Sequence, residues 1–260
     1  MKKDNLGNRM KSYEEVSKTQ LTKRIPVIIR LDGKAFHTFT KGFNKPYDEV
    51  MSQSMKKTMM NLCENIQGCV LGYTQSDEIT LVLCDYKAID TQPWFDYEVQ
   101  KMCSISSSIA TLFFNRIFLD LVNSCEENIK HRYITAIKKG AMFDSRVFNL
   151  PKEEVCNCLI WRQQDATRNS IQSLGQFYFS HKELQNKTCN EIQDMLYKEH
   201  NVNWNNCSTY FKRGCCCIKK PIEIRTKDNN TIIRNKWVVD DNIPIFTKNR
   251  DYIENRIIFI

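Results

Sequence analysis

The most informative stretch of this chain is Val27-Ile28-Ile29-Arg30-Leu31-Asp32-Gly33, an apolar run that ends in a carboxylate and a glycine. Pro26 opens the run. A segment that is apolar at nearly every position is typical of a strand covered on both faces. The sequence therefore predicts a buried strand with Asp32 at its end.

A hairpin and two helices complete a recognisable order. Apolar runs at 69–74 and 79–84 flank Gln75-Ser76-Asp77-Glu78, which predicts two strands joined at an acidic tip. Two stripes at helical spacing predict helices, one after Pro46 (Val50, Met51, Met55, Met59, Leu62 and Cys63) and one from Pro93 to about Leu119 (Val99, Met102, Ile105, Ile109, Leu112 and Phe113). With strand-like residues 141–150, the order is β-α-β-β-α-β, the ferredoxin-like arrangement of an α+β fold.

This order predicts where the two acidic elements lie. In such a sheet the first and second strands are parallel and the third lies between them. The end of the first strand and the tip of the hairpin then share one edge. Asp32 and Asp77 are therefore expected to be neighbours in space.

Two carboxylates at one edge suit magnesium, which prefers oxygen ligands and is commonly held by one or two carboxylates together with substrate phosphates. The carbonyl of Gly33 is a further candidate ligand, because glycine permits close approach. Two such ions would clamp the attacking and leaving oxygens of a phosphoryl transfer. The alternative is that Asp32 merely ends a strand and Asp77 merely makes a turn.

The bulk composition is compatible with an RNA partner. Lysine and arginine outnumber aspartate and glutamate 38 to 30, a formal net charge of +8. This excess suits a polyanion, although a solvated positive surface is the alternative. The twelve cysteines show neither Cys-x-x-Cys spacing nor a preceding secretory signal, which favours reduced thiols over disulfides or zinc. No stretch is expected to cross a membrane, and we expect a cytoplasmic protein, with an organellar location left open.

The remaining segments give a coarser picture. A short helix is expected around residues 12–18, and a helix from Pro151 to about Gln164. Thr188-Cys189-Asn190-Glu191 is a capping-box start for another helix. Extended structure is expected at 211–219, 222–225 and 232–239, with a turn at 228–230. We divide the chain into a catalytic core, 1–150, and a C-terminal part, 151–260, packed on it.

Motifs along about half the chain resemble the tRNA-histidine guanylyltransferase family, and more narrowly its branch of guanylyltransferase-like proteins that repair tRNA 5′ ends. The motifs are RLDGKAFHTF at 30–39, Lys45-Pro46 with Asp48, YTQSDE at 73–78, FDSRV at 143–147 and WRQQDA at 161–166. The family is similar to polymerase palm domains but adds nucleotides in the 3′–5′ direction. The resemblance thus implies a palm-like nucleotidyltransferase core that binds tRNA and nucleoside triphosphates, in a homotetramer.

The resemblance also implies roles for individual residues. Asp32, the Gly33 carbonyl and Asp77 would bind two magnesium ions, with Glu78 as a supporting acid. Residues 33–37 would surround the incoming nucleotide: Gly33, Lys34, Ala35, Phe36 and His37. Lys45 and Ser76 would contact the triphosphate, and Arg146 would lie near the activated 5′ end. By themselves, the lysine and serine would be ordinary surface residues and the histidine a structural one.

One departure separates this chain from enzymes that add guanosine to histidine tRNA. Those enzymes carry His-Ile-Asn-Asn-Leu-Tyr-Asn soon after WRQQD, whereas residues 166–172 read Ala-Thr-Arg-Asn-Ser-Ile-Gln. We therefore predict templated extension of 5′-truncated tRNA, with ATP activating a 5′-monophosphate, and Asn169 in place of a lost polar contact. The alternatives are guanosine addition to histidine tRNA and a catalytically silent tRNA-binding module.

Overall fold

The computed structural model describes residues 5–225 and 231–258. Six strands form a single sheet in the order β4-β1-β3-β2-β5-β6, with every neighbouring pair antiparallel. Their bounds are Val27–Gly33 (β1), Cys69–Gln75 (β2), Glu78–Leu83 (β3), Phe143–Asn149 (β4), Cys215–Arg225 (β5) and Thr231–Asp240 (β6).

The first four strands confirm the predicted order. Strand β3 is antiparallel to both β1 and β2, so β1 and β2 run in the same direction with β3 between them. Strand β4 closes the other side of β1. The end of β1 and the turn between β2 and β3 consequently lie at one end of the sheet.

Eleven α-helices are described in residues 5–225 and 231–258. Their bounds are Asn5–Glu15 (α1), Phe36–Phe39 (α2), Glu49–Asn65 (α3), Val99–Asn123 (α4), Glu127–Lys130 (α5), Ile134–Lys139 (α6), Lys152–Tyr178 (α7), His181–Leu184 (α8), Cys189–His200 (α9), Thr209–Arg213 (α10) and Asp251–Ile257 (α11), with 3-10 turns at Trp94–Tyr97, His131–Tyr133 and Trp204–Asn206.

The sheet is covered on both faces, as the apolar character of β1 predicts. Val27, Ile29 and Leu31 pack into a cluster with α3 and α4, and Ile28 packs into a second cluster with α7 and α11. The methionine stripe of α3 belongs to the first cluster, with Met55 and Met59 fully buried. Residues that alternate along β1 therefore belong to two different cores.

A satellite cluster lies beyond the sheet, where the second half of α7 packs against α9. Ile171 and Leu174 of α7 contact Ile192 and Leu196 of α9 in this cluster. Helix α9 begins with the predicted capping box. The Thr188 backbone NH donates to the Glu191 carboxylate at 2.7 Å, and the Glu191 backbone NH donates to the Thr188 hydroxyl at 3.3 Å.

Several predicted boundaries are wrong. The first helix spans Asn5–Glu15 rather than 12–18, and the helix after Pro151 continues to Tyr178 instead of ending near Gln164. The latter continues because its second half is buried against the satellite cluster, which local sequence does not reveal. Residues 211–213 are helical in α10, not extended. The predicted turn at 228–230 lies outside the described residues.

Helix α4 bears on the expectation that no stretch crosses a membrane. It is 25 residues long with a window of mean hydropathy 1.4, which is long and apolar enough by length and composition to span a bilayer. In the structure one side of α4 packs on the sheet and α3, with Met102, Phe114 and Phe118 buried there. The core helix of a protein outside a membrane has this same composition.

Strands β5 and β6 place part of the segment 151–260 in the same sheet as the first four strands. Only Cys215–Cys217 of β5 pair with β2, and the rest of β5 pairs with β6 alone. The division at residue 150 remains a prediction. All twelve cysteines are free, and the run Cys215-Cys216-Cys217 is fully buried.

Candidate active site

A row of three carboxylates crosses the end of the sheet. Asp32 on β1 is paired in register with Glu78 on β3 and with Asp144 on β4. Directly paired residues of antiparallel strands project from the same face of a sheet. These three lie on the face covered by α7, because residues adjacent to them in β1 and β3 belong to the opposite core.

A second row, one step further along the strands, is basic. Arg30 on β1 is paired with Arg146 on β4, and the row continues to Thr80 on β3. An Nη atom of Arg146 lies 3.5 Å from a carboxylate oxygen of Asp144, and both side chains are half exposed. Acidic and basic groups therefore alternate along one face, the arrangement needed to hold cations and phosphates side by side.

Asp77 reaches this row from the turn between β2 and β3. The backbone NH of Gly33 donates to the Asp77 carbonyl at 3.0 Å, which ties the turn to the end of β1. The Ser76 hydroxyl donates to the Asp77 carboxylate at 3.0 Å. Asp32 and Asp77 thus lie at one end of the sheet, as the strand order predicts, while their metal-binding role stays a prediction.

The charges at this end of the sheet are poorly compensated. Burial raises the pKa of Asp32, and the neighbouring Asp144 raises it further, while Arg146 opposes the shift. Burial likewise raises the pKa of Asp77; the Ser76 hydrogen bond opposes this shift and the Asp32 carboxylate adds to it. Carboxylates that resist ionisation because they are buried, and because they lie near one another, are stabilised by a cation between them.

This donor set fits magnesium. Two carboxylates and the Gly33 carbonyl are hard oxygen ligands, and magnesium usually completes its shell with water and substrate phosphates. In residues 5–225 and 231–258, no three His, Cys, Asp or Glu side chains are arranged as a ready-made metal cage. Gly33 itself is required for packing, since a Cβ there would lie 2.3 Å from the ring of Phe36.

Glu78 is held differently from the two aspartates. Its carboxylate accepts a hydrogen bond from Nε of Arg162 at 2.7 Å, and both side chains are buried. Nη2 of Arg162 also donates to Asp165 at 2.8 Å. Burial raises the pKa of Glu78, and the ion pair with Arg162 opposes the shift. Glu78 therefore joins the sheet to α7.

A cavity of about 490 Å³ opens beside Asp77 and contains most of the predicted nucleotide-binding residues. Its lining includes Gly33, Ala35, Phe36, His37, Lys45, Ser76, Asp77 and Asn169. Lys34 is outside this lining; it is exposed, and its backbone NH donates to the Met142 carbonyl at 2.8 Å. Arg146 lies on the sheet face beside Asp144 and is also outside the lining.

The aromatic residues of the RLDGKAFHTF motif do not offer a stacking surface for a base. The Phe36 and Phe39 rings are buried, with ring centroids 5.0 Å apart, and Phe36 also packs on Phe143 and Phe114. The two phenylalanine rings belong to the hydrophobic core and are not available to stack on a base. Phe36 contributes a buried part of the cavity wall.

Other aromatic residues line the cavity instead. Tyr47 is 45% exposed, and its ring lies 5.2 Å from that of Phe211, centroid to centroid. Tyr210, one residue before, lines the cavity with a buried hydroxyl that has no hydrogen-bond partner among the described residues. These residues come from α10 and the loop before α3, and sequence reasoning missed them because no motif links the two segments.

Lys45, in the loop before α3, and Asn169, on α7, both line the cavity. The Asn169 amide donates weakly to Asp165 at 3.4 Å. Two non-glycine residues at the site, Ala35 and Ser76, have left-handed backbones with φ of 55° and 49°. Such backbones are unfavourable for L-residues and are enriched at functional sites.

Asp48 of the Lys45-Pro46-Asp48 motif caps α3. Its buried carboxylate accepts from the backbone NH of Met51 at 3.0 Å, from that of Asn44 at 3.1 Å, and from the Tyr133 hydroxyl at 2.9 Å. These contacts occupy both oxygens. Asp48 thereby fixes the loop that carries Lys45.

Comparison with known proteins identifies the family of this chain. The family profile of tRNAHis guanylyltransferase matches residues 7–151, which is more than half of the chain. The chain belongs to the tRNA(His) guanylyltransferase family. The family resemblance of the motifs is thereby confirmed, and the chain is, like other members of the tRNA(His) guanylyltransferase family, a nucleotidyltransferase.

Relatives of this tRNA(His) guanylyltransferase family member cover between three quarters and nearly all of its length. A bacterial tRNA(His) guanylyltransferase-like protein in complex with ATP superposes with a TM-score of 0.83 and 38% identity, covering 97% of this chain and 99% of that one. An uncharacterized protein of Acanthamoeba polyphaga mimivirus is 30% identical over 90% of this chain and 83% of its own length. The tRNA(His) guanylyltransferase of Saccharomyces cerevisiae is 26% identical, covering 75% of this chain and 82% of the yeast enzyme.

Proposed function

We propose that this protein adds nucleotides in the 3′–5′ direction to the 5′ end of tRNA, choosing each one by pairing with the opposite strand, and so repairs 5′-truncated tRNAs. The observation that carries the proposal is that the Gly33–Asp77 hydrogen bond ties the end of β1, where Asp32 lies, to the turn that carries Asp77, and that Gly33 and Asp77 line a cavity large enough for a nucleotide. The bacterial relative named above was solved with ATP, and a second structure of such a protein contains GTP. Both support a triphosphate in this cavity.

The reaction has two balanced steps. An oxygen of the tRNA 5′-monophosphate attacks the α-phosphorus of ATP and pyrophosphate leaves. The 3′-hydroxyl of an incoming nucleoside triphosphate then attacks the activated 5′-phosphorus, losing its proton to solvent, and AMP leaves. An RNA that already carries a 5′-triphosphate needs only the second step, with pyrophosphate as the leaving group.

The residues of this chain serve those steps by binding and orientation. Lys45 and Ser76 border the cavity, where an ammonium and a hydroxyl suit phosphate oxygens. Arg146 presents a planar guanidinium on the sheet face beside the carboxylates, suited to the 5′-phosphate. Two magnesium ions held by Asp32, Asp77 and the Gly33 carbonyl would supply Lewis-acid stabilisation of phosphoryl charge. Rate acceleration in such reactions comes mainly from position and electrostatics.

The wall formed by residues 166–172 favours repair over guanosine addition to histidine tRNA. Ala166, Asn169 and Ser170 of this segment line the cavity. They stand where the histidine-tRNA enzymes carry a segment rich in histidine and asparagine. The 38% identity to a guanylyltransferase-like protein, against 26% to the yeast histidine-tRNA enzyme, supports the same branch.

Primer extension separates the candidate functions. A tRNA lacking its first nucleotide and an intact histidine tRNA are offered with all four triphosphates, ATP and magnesium. Incorporation that follows the opposing base supports repair, whereas guanosine addition opposite any base supports the histidine-tRNA reaction. Asp32→Asn serves as the inactive control. Salt-sensitive tRNA binding without any incorporation would instead identify a silent binding module.

The family resemblance further suggests a homotetramer, with each tRNA bound by more than one subunit. Light scattering of the purified protein measures this directly. A mass of four chains supports the proposal, and a monomer at micromolar concentration contradicts it.

A further inference from the structure

A half-exposed tryptophan on α7 lies beside the basic row of the sheet. Trp161 is 50% exposed. The guanidinium carbon of Arg30 lies 5.5 Å from the centroid of the Trp161 ring, and that of Arg162 lies 4.3 Å from it. Cations within about 6 Å of an aromatic ring are attracted to it. Two guanidinium groups therefore hold the ring while half of the residue stays open to solvent.

The support beneath this ring is rigid. Nε of Arg162 donates to the Glu78 carboxylate at 2.7 Å, and its Nη2 donates to Asp165 at 2.8 Å. The side chains of Arg162 and Glu78 are both buried. The ring of Trp161 thus rests on a guanidinium group that is itself fixed to β3. A ring that is already held in place loses little conformational entropy when a ligand binds to it.

The surroundings of the ring suit an anion. Arg30 is paired in register with Arg146 on β4, and it lies two residues before Asp32 on β1. Nε of Arg30 has no hydrogen-bond partner in the part of the chain that the structure describes, so the donors of Arg30 are not all used within the protein. Guanidinium groups suit phosphate oxygens. A ring next to two guanidinium groups can bind a nucleotide by its base and its phosphate together.

We propose that Trp161 stacks on the base at the 5′ terminus of the RNA substrate, while Arg30 and Arg146 face the 5′-phosphate of the same nucleotide. The inference rests on the proposed function, because it takes the 5′ end of an RNA as the ligand. Stacking on an aromatic ring tolerates every base, since each base has a π face. Such a contact holds the 5′ end without selecting its sequence, which suits an enzyme that takes its sequence from the opposite strand.

Binding measured without chemistry tests the stacking. The probe is a 5′-truncated tRNA in EDTA without triphosphates, and fluorescence anisotropy gives its affinity. Trp161→Ala should bind it about tenfold more weakly or worse, because base–aromatic stacking contributes that much. Trp161→Phe retains an aromatic ring and should recover most of the affinity.

Phe177→Ala is the matched control for these variants. Phe177 is an aromatic residue of the same helix, is 51% exposed and lies one residue before the end of α7. Its substitution should leave the affinity for the truncated tRNA unchanged. Circular dichroism melting verifies that each variant is folded.

An RNA that lacks only the terminal base identifies what the ring contacts. The parent protein should bind a truncated tRNA with an abasic 5′-terminal residue about tenfold more weakly than the normal RNA. Trp161→Ala should bind the two RNAs equally, because the interaction is already lost. Unchanged affinity of Trp161→Ala, or an equal loss on both RNAs, would overturn the stacking. Since no reaction is needed, a parent that shows the stacking but incorporates no nucleotide would contradict the proposed function alone.

Discussion

Asp32 and Asp77 hold their protons more tightly in the folded protein than in the unfolded chain, whose aspartates have an ordinary pKa near 3.8. The folded state then binds more protons at these two groups, so their contribution to the free energy of unfolding is highest below that value and falls as pH rises through the raised pKa. We expect this slope in EDTA between pH 4 and 7, measured by urea unfolding. In Asp32→Asn and Asp77→Asn the slope should be shallower and stability at neutral pH higher.

Magnesium should offset the loss of stability that accompanies ionisation of Asp32 and Asp77. A cation stabilises the ionised carboxylates, and binding to the folded state alone raises the melting temperature. We expect the increase to be larger at pH 7.5 than at pH 5, where protons compete for the oxygens. Thermal melting with and without magnesium measures this. An equal increase in Asp32→Asn would show that the ion binds elsewhere.

The same substitutions should abolish activity. Loss of an ion's Lewis-acid role removes several kcal/mol of stabilisation, so nucleotide addition by Asp32→Asn or Asp77→Asn should fall about 1,000-fold or more. Incorporation of a labelled triphosphate into truncated tRNA measures the loss. Near-full activity in either variant would rule out the assignment of these two ligands.

Glu78 should matter for stability as well as for activity. Glu78→Ala leaves the buried guanidinium of Arg162 with only Asp165, and removal of one partner of a buried ion pair costs about 3 kcal/mol. Glu78→Gln retains an acceptor and should cost less. Urea unfolding distinguishes the two. If Glu78→Ala is as stable as the parent but inactive, Glu78 acts on the reaction rather than on Arg162.

The positions of single site residues were predictable where a short sequence motif contains them. Asp32, Gly33 and Asp77 follow from two local patterns and the strand order. Asp144 is different: it lies beside Asp32 only because β4 pairs with β1 in this register. Tyr47 and Phe211 meet across the cavity from segments far apart in sequence. Such contacts depend on tertiary packing, which local patterns do not encode.

At the scale of elements, the contact of α3 with β2 is tight enough to forbid a methyl group. A Cβ on Gly72 would lie 2.6 Å from Sγ of Cys63 and 3.0 Å from Cγ of Met59. Gly72→Ala should therefore cost about 1–3 kcal/mol in urea unfolding, as overpacked cores do.

A double-mutant cycle checks the cause. Cys63→Ala removes the nearest atom, so Gly72→Ala should cost less in that background than in the parent. If the two substitutions change the free energy of unfolding additively, the cost of Gly72→Ala comes from the backbone of β2 and not from contact with Cys63.

Helices and strands were predicted correctly where a short stretch of sequence contains the apolar pattern or the helix cap. The prediction failed where packing against a distant segment decides the structure. Short sequence patterns predict the strands of the first half and the capping box at Thr188. Helix α7 extends to Tyr178 because Ile171 and Leu174 are buried against α9. That burial depends on a helix that follows α7 in the sequence, so the end of α7 could not be predicted from α7 alone.

At the scale of the whole molecule, the net charge of +8 predicts salt-sensitive binding of tRNA. Each phosphate contact releases counterions, and two or more contacts reduce affinity more than about tenfold between 50 and 200 mM salt. Filter binding or fluorescence anisotropy with a truncated tRNA measures the slope. A flat response would show that the positive surface makes no contact with the phosphates.

The strand register that pairs Asp32 with Glu78 also decides which side chains of β1 are buried. Side-chain direction alternates along a strand, so a shift of β1 by one residue would exchange its two faces. Arg30 and Asp32 would then enter the apolar core under α3 and α4, and Ile29 and Leu31 would replace them beside the carboxylates. A chain that folds in the wrong register is therefore unstable as well as inactive, and single-residue insertions or deletions within β1 should be among the least tolerated changes in this protein.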